Sequence, residues 1–387
     1  MSVATIEDTK QILDKLVAFP TISHNSNLAM VDYLASFLGQ LGARVFLQHN
    51  GDGGKANLFA TLGPDKDGGI VLSGHSDVVP VQGQSWSGDP FKMVERNGRL
   101  YGRGTCDMKG FLACCLAIAR GAAELDLVRP LHFAFTYDEE VGCFGAKALI
   151  KELARRGIKP SAALIGEPTM MRVIEGHKGC YEYTTNFVGL EGHGSQPDLG
   201  VNAIQFGARL ITHLMALGER LKDHAMAGSR FDPPWATIQV GHISGGTGRN
   251  IIAGNCSVEW EMRPVQPSDA ALVKESLDTF INQQLLPEMQ AVSPSASIET
   301  IVVSEVEGLQ VVAQSEARDI LYDMTGANGA DVVAFGTEAG LFQEAGISAI
   351  ICGPGSIEQA HKPNEFIDIE QLKSCLKMLS HLQAKLV

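Results

Sequence analysis

Five short segments of the sequence place histidine, aspartate or glutamate where the pattern predicts a strand end or a helix start. The segments are His75-Ser76-Asp77, Asp107, Asp138-Glu139-Glu140, Glu167 and His361. These residue types are the ligands that zinc takes in proteins when cysteine is absent. Two imidazoles and three carboxylates suit two closely spaced divalent cations, because three carboxylates offset most of the cations' positive charge. The chemistry that this pattern indicates is metal binding.

Each segment taken alone also has an ordinary interpretation. An H-x-D sequence such as His75-Ser76-Asp77 is more often a pair on a surface loop than a metal site. Asp107 precedes a predicted helix and could equally cap it, and Glu139-Glu140 would usually be a solvated turn. Adjacent carboxylates repel one another, however, unless a cation neutralises one of them. The joint position of the segments along one predicted sheet favours a metal site over unrelated surface features.

The elements that carry these residues alternate between strands and helices. Short apolar runs at 56–61 and 131–137 predict strands that are covered on both faces, and the apolar stretch 108–123 predicts a helix. Such alternation predicts a three-layer α/β domain. In an open sheet of this kind, ligands bind at the edge formed by the carboxyl ends of the strands. Because most of the candidate ligands follow strands, we expect them at that edge.

The pattern changes from about Tyr181. From there to residue 306, strand-like and helix-like segments follow the order β-α-β-β-α-β, which is typical of a ferredoxin-like sandwich. After residue 306 the α/β pattern returns. We therefore predict a discontinuous catalytic domain, residues 1–180 and 307–387, interrupted by an inserted domain at 181–306.

The composition limits the class of protein. The 387 residues carry a formal net charge of −13 without a basic cluster, which argues against nucleic-acid binding. The longest apolar stretch, 111–119, is far shorter than the roughly 20 residues of a membrane-spanning helix, and the polar N-terminus predicts no secretory signal. The eight cysteines form no C-x-x-C pair, which favours reduced thiols in a cytoplasmic protein.

Taken together, the motifs resemble those of the M20 family of metallopeptidases and deacylases. The resemblance covers almost the whole chain, with the motifs in the family's order. The motifs are Gly74-His75-x-Asp77, Gly102-x-Gly104-x-x-Asp107-Met-Lys-Gly110, Asp138-Glu139-Glu140, Gly166-Glu167-Pro168 and Ala360-His361-x-Pro-Asn-Glu365. Further stretches, including Thr337-Glu338-Ala339 and 353–357, are similar to the acetylornithine deacetylases within that family.

The resemblance implies a zinc-peptidase-like three-layer catalytic domain with an inserted ferredoxin-like domain that serves as a lid or for dimerisation. It also implies two divalent metal ions, with zinc expected and cobalt able to substitute. His75 and Glu167 would bind one ion, and Glu140 and His361 would bind the other. Asp107 would bridge both ions.

Residues beside the ligands have expected roles as well. Asp77 is expected to accept the second N–H of His75 and so fix the tautomer of the imidazole. Zinc can lower the pKa of a bound water from 15.7 to roughly 7, and Glu139 is the expected general base that collects this proton. Cys106 is predicted to be a packing residue, because in an extended segment its side chain points away from that of Asp107.

The inserted domain is expected to contribute to catalysis. In related enzymes, residues that match His193 and Asn250 donate hydrogen bonds to the oxyanion of the tetrahedral intermediate. Arg263 is a candidate for holding a carboxylate of the substrate. Main-chain N–H groups near Gly355 and Ser356 are candidates for the same role.

The activity that the resemblance implies is hydrolysis of the N-acetyl amide of N2-acetyl-L-ornithine to L-ornithine and acetate, a reaction of arginine biosynthesis. A homodimer is expected, with no nucleic-acid or membrane partner. Succinyl-diaminopimelate desuccinylases, aminoacylases and glutamate-releasing carboxypeptidases share the metal motifs and remain alternatives. A dinucleotide-dependent oxidoreductase is disfavoured, since Gly102-x-Gly104 lacks a third glycine and Asp107 would repel a pyrophosphate. A catalytically inactive relative that only binds a ligand is also disfavoured, because it would have no need of the general base Glu139.

Overall fold

The computed structural model describes residues 4–387, and the chain folds into two compact units. The first unit comprises the chain up to Gly176, Leu309–Val332 and Thr337–Val387. The second unit comprises His177–Gly308 and Val333–Gly336. Within the part of the chain that is described, no helix is long and apolar enough to cross a lipid bilayer.

The strands and α-helices are numbered in chain order. The strands are β1 Arg44–His49, β2 Ala56–Leu62, β3 Ile70–His75, β4 Val94–Arg96, β5 Arg99–Tyr101, β6 Leu131–Thr136, β7 Ala162–Pro168, β8 Ile174–His177, β9 Cys180–Val188, β10 Thr237–Gly245, β11 Asn255–Arg263, β12 Ser297–Val306, β13 Asp331–Val333, β14 Ser348–Gly353 and β15 Phe366–Asp368. The helices are α1 Ile6–Val17, α2 Leu28–Gln40, α3 Lys109–Ala123, α4 Phe144–Arg156, α5 Ala203–Leu221, α6 Pro267–Phe280, α7 Leu286–Val292, α8 Glu316–Thr325, α9 Ala339–Glu344 and α10 Ile369–Gln383.

The first unit is built around an eight-stranded sheet in the order β1-β2-β6-β3-β7-β14-β8-β13. Its central strands β6, β3, β7 and β14 run parallel. Every residue of β2, β3, β6 and β7 is buried, which requires packed layers on both faces of the sheet. Helix α3 packs against β3 and β7, α2 and α4 pack against β2, and α8 and α9 pack against β14. The predicted three-layer α/β architecture is confirmed.

Helix α3 lies in the core of the first unit. Its sequence is rich in alanine, leucine and cysteine and contains no proline, and all but two of its residues are buried. A helix that is apolar on nearly every side belongs in a core. It approaches β7 closely because Gly166 has no side chain, and a Cβ atom at Gly166 would lie 2.0 Å from the ring of Phe111.

The second unit contains a four-stranded antiparallel sheet in the order β10-β11-β9-β12. Buried residues alternate with more exposed ones along β9 and β11, so one face of this sheet carries the core. In that core the rings of Tyr183 and Trp260 stack with their centroids 4.3 Å apart. Helix α5 begins where the side chain of Asn202 accepts hydrogen bonds from two backbone N–H groups. The predicted β-α-β-β-α-β order is confirmed.

The structure contains elements that the pattern does not predict, among them β8, β13, α7 and α9. The pattern does not predict β1, which lies at the edge of the large sheet and is only partly buried along its length. Nor does it predict the separate sheet of β15, β5 and β4, whose strands are too short to show a period. The segment 311–325, where the α/β pattern returns, contains a helix that begins at Glu316, because Ser315 accepts the N–H of Arg318 and caps it there.

A methyl group at Gly166 should destabilise the first unit. Gly166→Ala places its Cβ against the Phe111 ring, and overpacking of this kind costs about 1–3 kcal/mol. Gly39→Ala is the matched control, because Gly39 lies in α2 with nothing within 4 Å of an added Cβ. We expect thermal denaturation to show a lower Tm for Gly166→Ala and an equal or higher Tm for Gly39→Ala. Equal Tm values for the two variants would contradict the close approach of α3 to β7.

Candidate metal centre

Three of the five candidate ligands lie at the carboxyl ends of three neighbouring parallel strands, whereas Asp107 precedes α3 and His361 lies in the loop before β15. Strand β3 ends at His75, which lies in register with Thr136, the last residue of β6. The segment that follows β6 carries Glu139 and Glu140, and Glu167 lies near the end of β7. Parallel strands bring their carboxyl ends to the same edge of a sheet, so residues that are far apart in sequence meet there.

Two groups of side chains at this edge are arranged as metal ligands. In the first group, His75 Nε2 lies 3.0 Å from Asp107 Oδ1 and 3.9 Å from Glu167 Oε1. In the second group, His361 Nε2 lies 3.0 Å from Glu140 Oε2 and 3.5 Å from Asp107 Oδ2. Within each group the potential ligand atoms all lie within 4.8 Å of one another. The structure therefore brings all five predicted ligands together.

Asp107 belongs to both groups. Its Oδ1 atom faces His75 and its Oδ2 atom faces His361. Burial acts to raise the pKa of Asp107, but the hydrogen bonds from His361 and His75 outweigh it and lower that pKa below its usual range. A carboxylate that stays ionised and directs one oxygen to each group can bridge two cations.

The other carboxyl groups of the cluster repel one another. Burial, together with the negative charge of Asp107 in each case, raises the pKa values of Glu139, Glu140 and Glu167, most strongly for Glu139 and Glu167. Four carboxyl groups this close together destabilise a fold unless positive charge is placed among them. The pKa shifts of the cluster arise from its arrangement, and perturbed groups gathered in one place are typical of a functional site.

The donor atoms fit a pair of divalent metal ions. Among the described residues, the buried Oε1 atom of Glu167 has no hydrogen-bond partner, which is costly for a polar atom unless something else binds it. Each group offers one imidazole nitrogen and two carboxylates, with Asp107 counted in both. Imidazole and carboxylate ligands with no thiolate suit zinc and cobalt.

Asp77 acts through different atoms from those predicted. The backbone carbonyl of Asp77, and not its carboxylate, accepts the Nδ1–H of His75 at 2.9 Å, while the nearest carboxylate oxygen is 3.7 Å away. A carbonyl can only accept, so it fixes the proton on Nδ1 and leaves Nε2 free to bind a metal. The carboxylate instead accepts the Ser23 hydroxyl at 2.8 Å and the backbone N–H groups of Glu139 and Glu140 at 3.1 and 3.4 Å.

The segment that carries Glu139 and Glu140 is held from two sides. Asp138 has a positive φ of 54°, a backbone conformation that non-glycine residues adopt only when their surroundings hold them. The ammonium group of Lys55 lies 2.5 Å from the Asp138 carboxylate. With Asp77 binding the next two N–H groups, this turn directs the side chain of Glu140 toward His361.

Comparison with known proteins decides the family. The sequence profile of peptidase family M20/M25/M40 matches residues 71–385. An acetylornithine deacetylase of Photorhabdus laumondii is 35% identical over 379 residues, which cover 96% of this chain and 95% of that protein. An acetylornithine deacetylase of Proteus mirabilis is also 35% identical, over the same share of each chain. The chain belongs to the M20 peptidase family. It is therefore a hydrolase that acts on amides.

Solved M20-type structures share the fold at lower identity. An M20 family metallo-carboxypeptidase of Sulfolobus solfataricus superposes with a TM-score of 0.76 at 18% identity, covering 98% of this chain and 99% of that one. A tripeptidase of Staphylococcus aureus gives a TM-score of 0.75 at 18% identity, covering 99% of each chain. These structural similarities show that the chain shares its fold with solved M20-type enzymes.

The residues predicted to bind an oxyanion lie in the second unit of the M20 chain. His193 forms an isolated β-bridge with Ile251, and the N–H of Gly194 donates to the carbonyl of Asn250 at 2.8 Å. The structure thus brings the segments of His193 and Asn250 together within that unit. The Nδ1 atom of His193 lies 2.7 Å from the Ser195 hydroxyl.

The residues predicted to hold a substrate carboxylate have other partners. The guanidinium of Arg263 donates to both carboxylate oxygens of Glu261, at 3.3 and 2.9 Å, so it forms an ion pair beside its own strand end. The N–H of Gly355 donates to the side chain of Gln371 at 3.2 Å, and the Ser356 hydroxyl accepts the N–H of Glu358 at 3.3 Å. The guanidinium of Arg263 and the N–H of Gly355 thus already have acceptors within the chain.

Cys106 is a packing residue, as predicted. Its side chain is buried, and its thiol donates to the carbonyl of Ser356 at 3.3 Å. Burial raises the pKa of this thiol well above its usual range, which keeps it protonated. The methylene and sulfur of Cys106 pack where Gly355 has no side chain, because a Cβ atom at Gly355 would lie 2.5 Å from the sulfur.

One buried acid next to the M20 motifs has a role that the pattern does not predict. The carboxylate of Glu338 accepts the hydroxyl of Ser73 on β3 at 2.5 Å and that of Thr136 on β6 at 2.9 Å. It therefore links the end of β3, which carries His75, to the end of β6, which precedes Glu139. The sequence signals for this residue are its place in the family-like stretch Thr337-Glu338-Ala339 and the acid within a weakly polar segment, and neither signal identifies Ser73 and Thr136 as its partners.

Metal binding should strengthen as the pH rises. Hydrogen bonds to Asp107 and Glu140 raise the pKa of His361 to about 10, so at neutral pH a metal must displace a proton from this imidazole. Below that pKa the proton competes with the metal, and the apparent affinity should increase about tenfold per pH unit for each proton displaced. Zinc titrations from about pH 6 to about pH 9, in buffers of different ionisation enthalpy, measure both the affinity and the proton release. An affinity that does not change with pH would contradict this.

Proposed function

We propose that this M20 hydrolase removes the acetyl group of N2-acetyl-L-ornithine, giving L-ornithine and acetate. The observation that carries the proposal is the similarity to acetylornithine deacetylases, at 35% identity over 96% of the chain. The ligand groups that share Asp107 support a two-metal amide hydrolase. The sequence stretches 337–339 and 353–357, which resemble those deacetylases, support the substrate.

Glu139 is the proposed general base. It lies directly before the ligand Glu140, and its backbone N–H is held by Asp77 at 3.1 Å. Burial and neighbouring carboxylates raise its pKa well above the usual value, as suits a group that both takes and gives a proton near neutral pH. When bound, the two metal ions supply the Lewis acidity that the reaction needs at the acyl carbonyl and the attacking water.

The proton follows one route through Glu139. Its carboxylate takes a proton from the attacking water as oxygen bonds to the acyl carbon. It then delivers that proton to the ornithine nitrogen as the carbon–nitrogen bond breaks, so the base ends the cycle ionised. His193 and Asn250 are the proposed donors to the oxyanion that forms on the acyl oxygen, where each placed donor contributes about 10²–10³ in rate.

Three further features belong to the proposal. Zinc is the proposed metal, since imidazole and carboxylate ligands suit it. A homodimer is proposed because the edge strand β12 exposes Ile301, Val302 and Val303, and an exposed apolar edge favours pairing. A cytoplasmic location is proposed because all eight cysteines are free thiols, as is usual in reducing compartments.

The substrate is tested with purified enzyme loaded with zinc or cobalt. N2-acetylornithine, N-succinyl-diaminopimelate and a set of other N-acyl amino acids are compared by kcat/KM, with release of the free amine as the readout. The proposal expects N2-acetylornithine to give the highest value. A higher value for the succinyl substrate or for another acyl amino acid would keep the amide hydrolase and reject the substrate.

Replacing the proposed base should remove turnover without removing the metals. Glu139→Gln keeps the size of the side chain but cannot take a proton, so kcat should fall about 10²–10⁴-fold while zinc content stays that of the native enzyme. Glu152→Gln is the control, because Glu152 pairs with Arg155 and Arg156 on the surface of α4. A Glu139→Gln enzyme with near-native kcat would exclude Glu139 as the base.

Replacing His193 should affect the chemical step more than substrate binding. His193→Ala removes a proposed donor to the oxyanion, so we expect kcat to fall about 10²–10³-fold with a smaller change in KM. His242→Ala is the control, because His242 is an exposed histidine of the same unit that lies near Glu259. An unchanged kcat in His193→Ala, measured at saturating N2-acetylornithine, would remove His193 from the mechanism.

A further inference from the structure

Glu365 is a buried carboxylate that holds the loop of the bridging ligand. Its Oε1 atom accepts the backbone N–H groups of Cys106 and Asp107 at 2.8 and 3.1 Å. Its Oε2 atom accepts the backbone N–H of Gly104 at 2.9 Å and the guanidinium of Arg103 at 2.8 Å. Both side chains of the Arg103–Glu365 pair are about 1% exposed. Four donors on one carboxylate fix the backbone on which Asp107 stands.

Gln84 extends this hydrogen-bond network to the loop that carries His361. Its side-chain oxygen accepts Arg103 Nη2 at 2.6 Å and the indole N–H of Trp86 at 3.1 Å. Its amide nitrogen donates to the backbone carbonyl of His361 at 2.8 Å. The chain of contacts from Glu365 through Arg103 to Gln84 therefore connects the main chain at Asp107 with the main chain at His361.

His361 lies on an exposed loop that is held by a few polar contacts. Besides the contact from Gln84, Arg103 Nη1 donates to the carbonyl of Lys362 at 3.4 Å and the N–H of Ser87 donates to Asn364 Oδ1 at 2.8 Å. The side chain of His361 is 56% exposed, far more than that of any other ligand in the two groups. Its φ angle is 63°, a left-handed conformation that costs a non-glycine residue free energy unless its surroundings hold it. His75, by contrast, ends a buried strand. The position of His361 in its ligand group is therefore set by contacts of its loop, whereas that of His75 is set by the sheet.

We propose that Gln84 is a positioning residue that sets the affinity of the metal group formed by His361, Glu140 and Asp107. It does so by holding the His361 backbone at the distance from Asp107 at which both side chains reach one ion. Polar partners behind metal ligands typically contribute 10–100-fold in metal affinity. Gln84 does not contact His75 or Glu167. It therefore affects the affinity for one metal ion and not for the other. This inference rests on the two-metal assignment of the proposed function.

The test uses the full-length protein and zinc alone. Gln84→Ala removes the contact to His361 and the acceptor of Arg103 Nη2 and of the Trp86 N–H. It keeps both charges of the buried Arg103–Glu365 pair, whereas loss of either charge endangers folding. Stepwise zinc affinities are measured by competition with a chromophoric chelator. We expect one of the two zinc ions to bind 10–100-fold more weakly, and the other to bind as in the native protein. Gln40→Ala, which removes only an exposed contact to Ser36, should leave both affinities unchanged.

A double-mutant cycle with His361→Ala separates positioning from general stability. If Gln84 acts through His361, then Gln84→Ala should change zinc affinity in the native background and have no further effect in the His361→Ala background. Equal effects in both backgrounds, or equal weakening of both ions, would overturn the proposal. Native affinities for both ions in Gln84→Ala would also overturn it. A native protein that binds fewer than two zinc ions would instead reject the two-metal assignment of the proposed function.

Discussion

The site depends on the way in which a single carboxylate, that of Asp107, is held between two imidazoles. One of its oxygens faces His75 at 3.0 Å and the other faces His361 at 3.5 Å. Around it, Glu139, Glu140 and Glu167 have pKa values raised by burial and by the negative charge of Asp107. Such a concentration of buried negative charge is unfavourable in a protein interior without compensating cations. The same imbalance favours the binding of divalent metal ions by this cluster.

The rest of the first unit serves to hold these groups in place. The parallel strands β3 and β7 place His75 and Glu167 at one edge of the sheet. The side chain of Glu338 links the ends of β3 and β6 through hydrogen bonds. The backbone carbonyl of Asp77 fixes the tautomer of His75, while its carboxylate holds the turn of Glu139. Apart from the contact between His75 and the Asp77 carbonyl, these contacts join segments that are distant in sequence, so the site forms only when the sheet and its loops are folded.

Much of this arrangement can be predicted from the sequence, because the ligands follow short apolar runs that indicate strands. The alternation of strands and helices predicts the sheet, and the register of β3 with β6 and β7 then accounts for the meeting of His75, Glu139 and Glu167. The family motifs supply the remaining ligands. The order of elements in the second unit also follows from the pattern, since alternate burial along β9 and β11 is visible as period-two hydropathy.

What could not be predicted is which atoms of the named residues make contact. A sequence pattern places Asp77 next to His75 but does not distinguish its carbonyl from its carboxylate. It identifies Glu365 within a motif, yet the hydrogen bond from Cys106 spans 259 residues and needs the folded chain to appear. An arginine such as Arg263 can bind the carboxylate of a substrate. In the folded chain, however, its guanidinium pairs with the carboxylate of Glu261 on the same strand. Such choices are decided by tertiary geometry and not by local propensity.

The most direct test of the shared role of Asp107 is the zinc content of three purified variants after equilibration at a fixed free zinc concentration. His75→Ala and His361→Ala each remove a ligand from one group, and each should retain about one zinc ion per chain. Asp107→Ala removes the ligand common to both groups and should retain almost none. If Asp107→Ala retains two zinc ions, or loses only one, then Asp107 does not bridge the two ions.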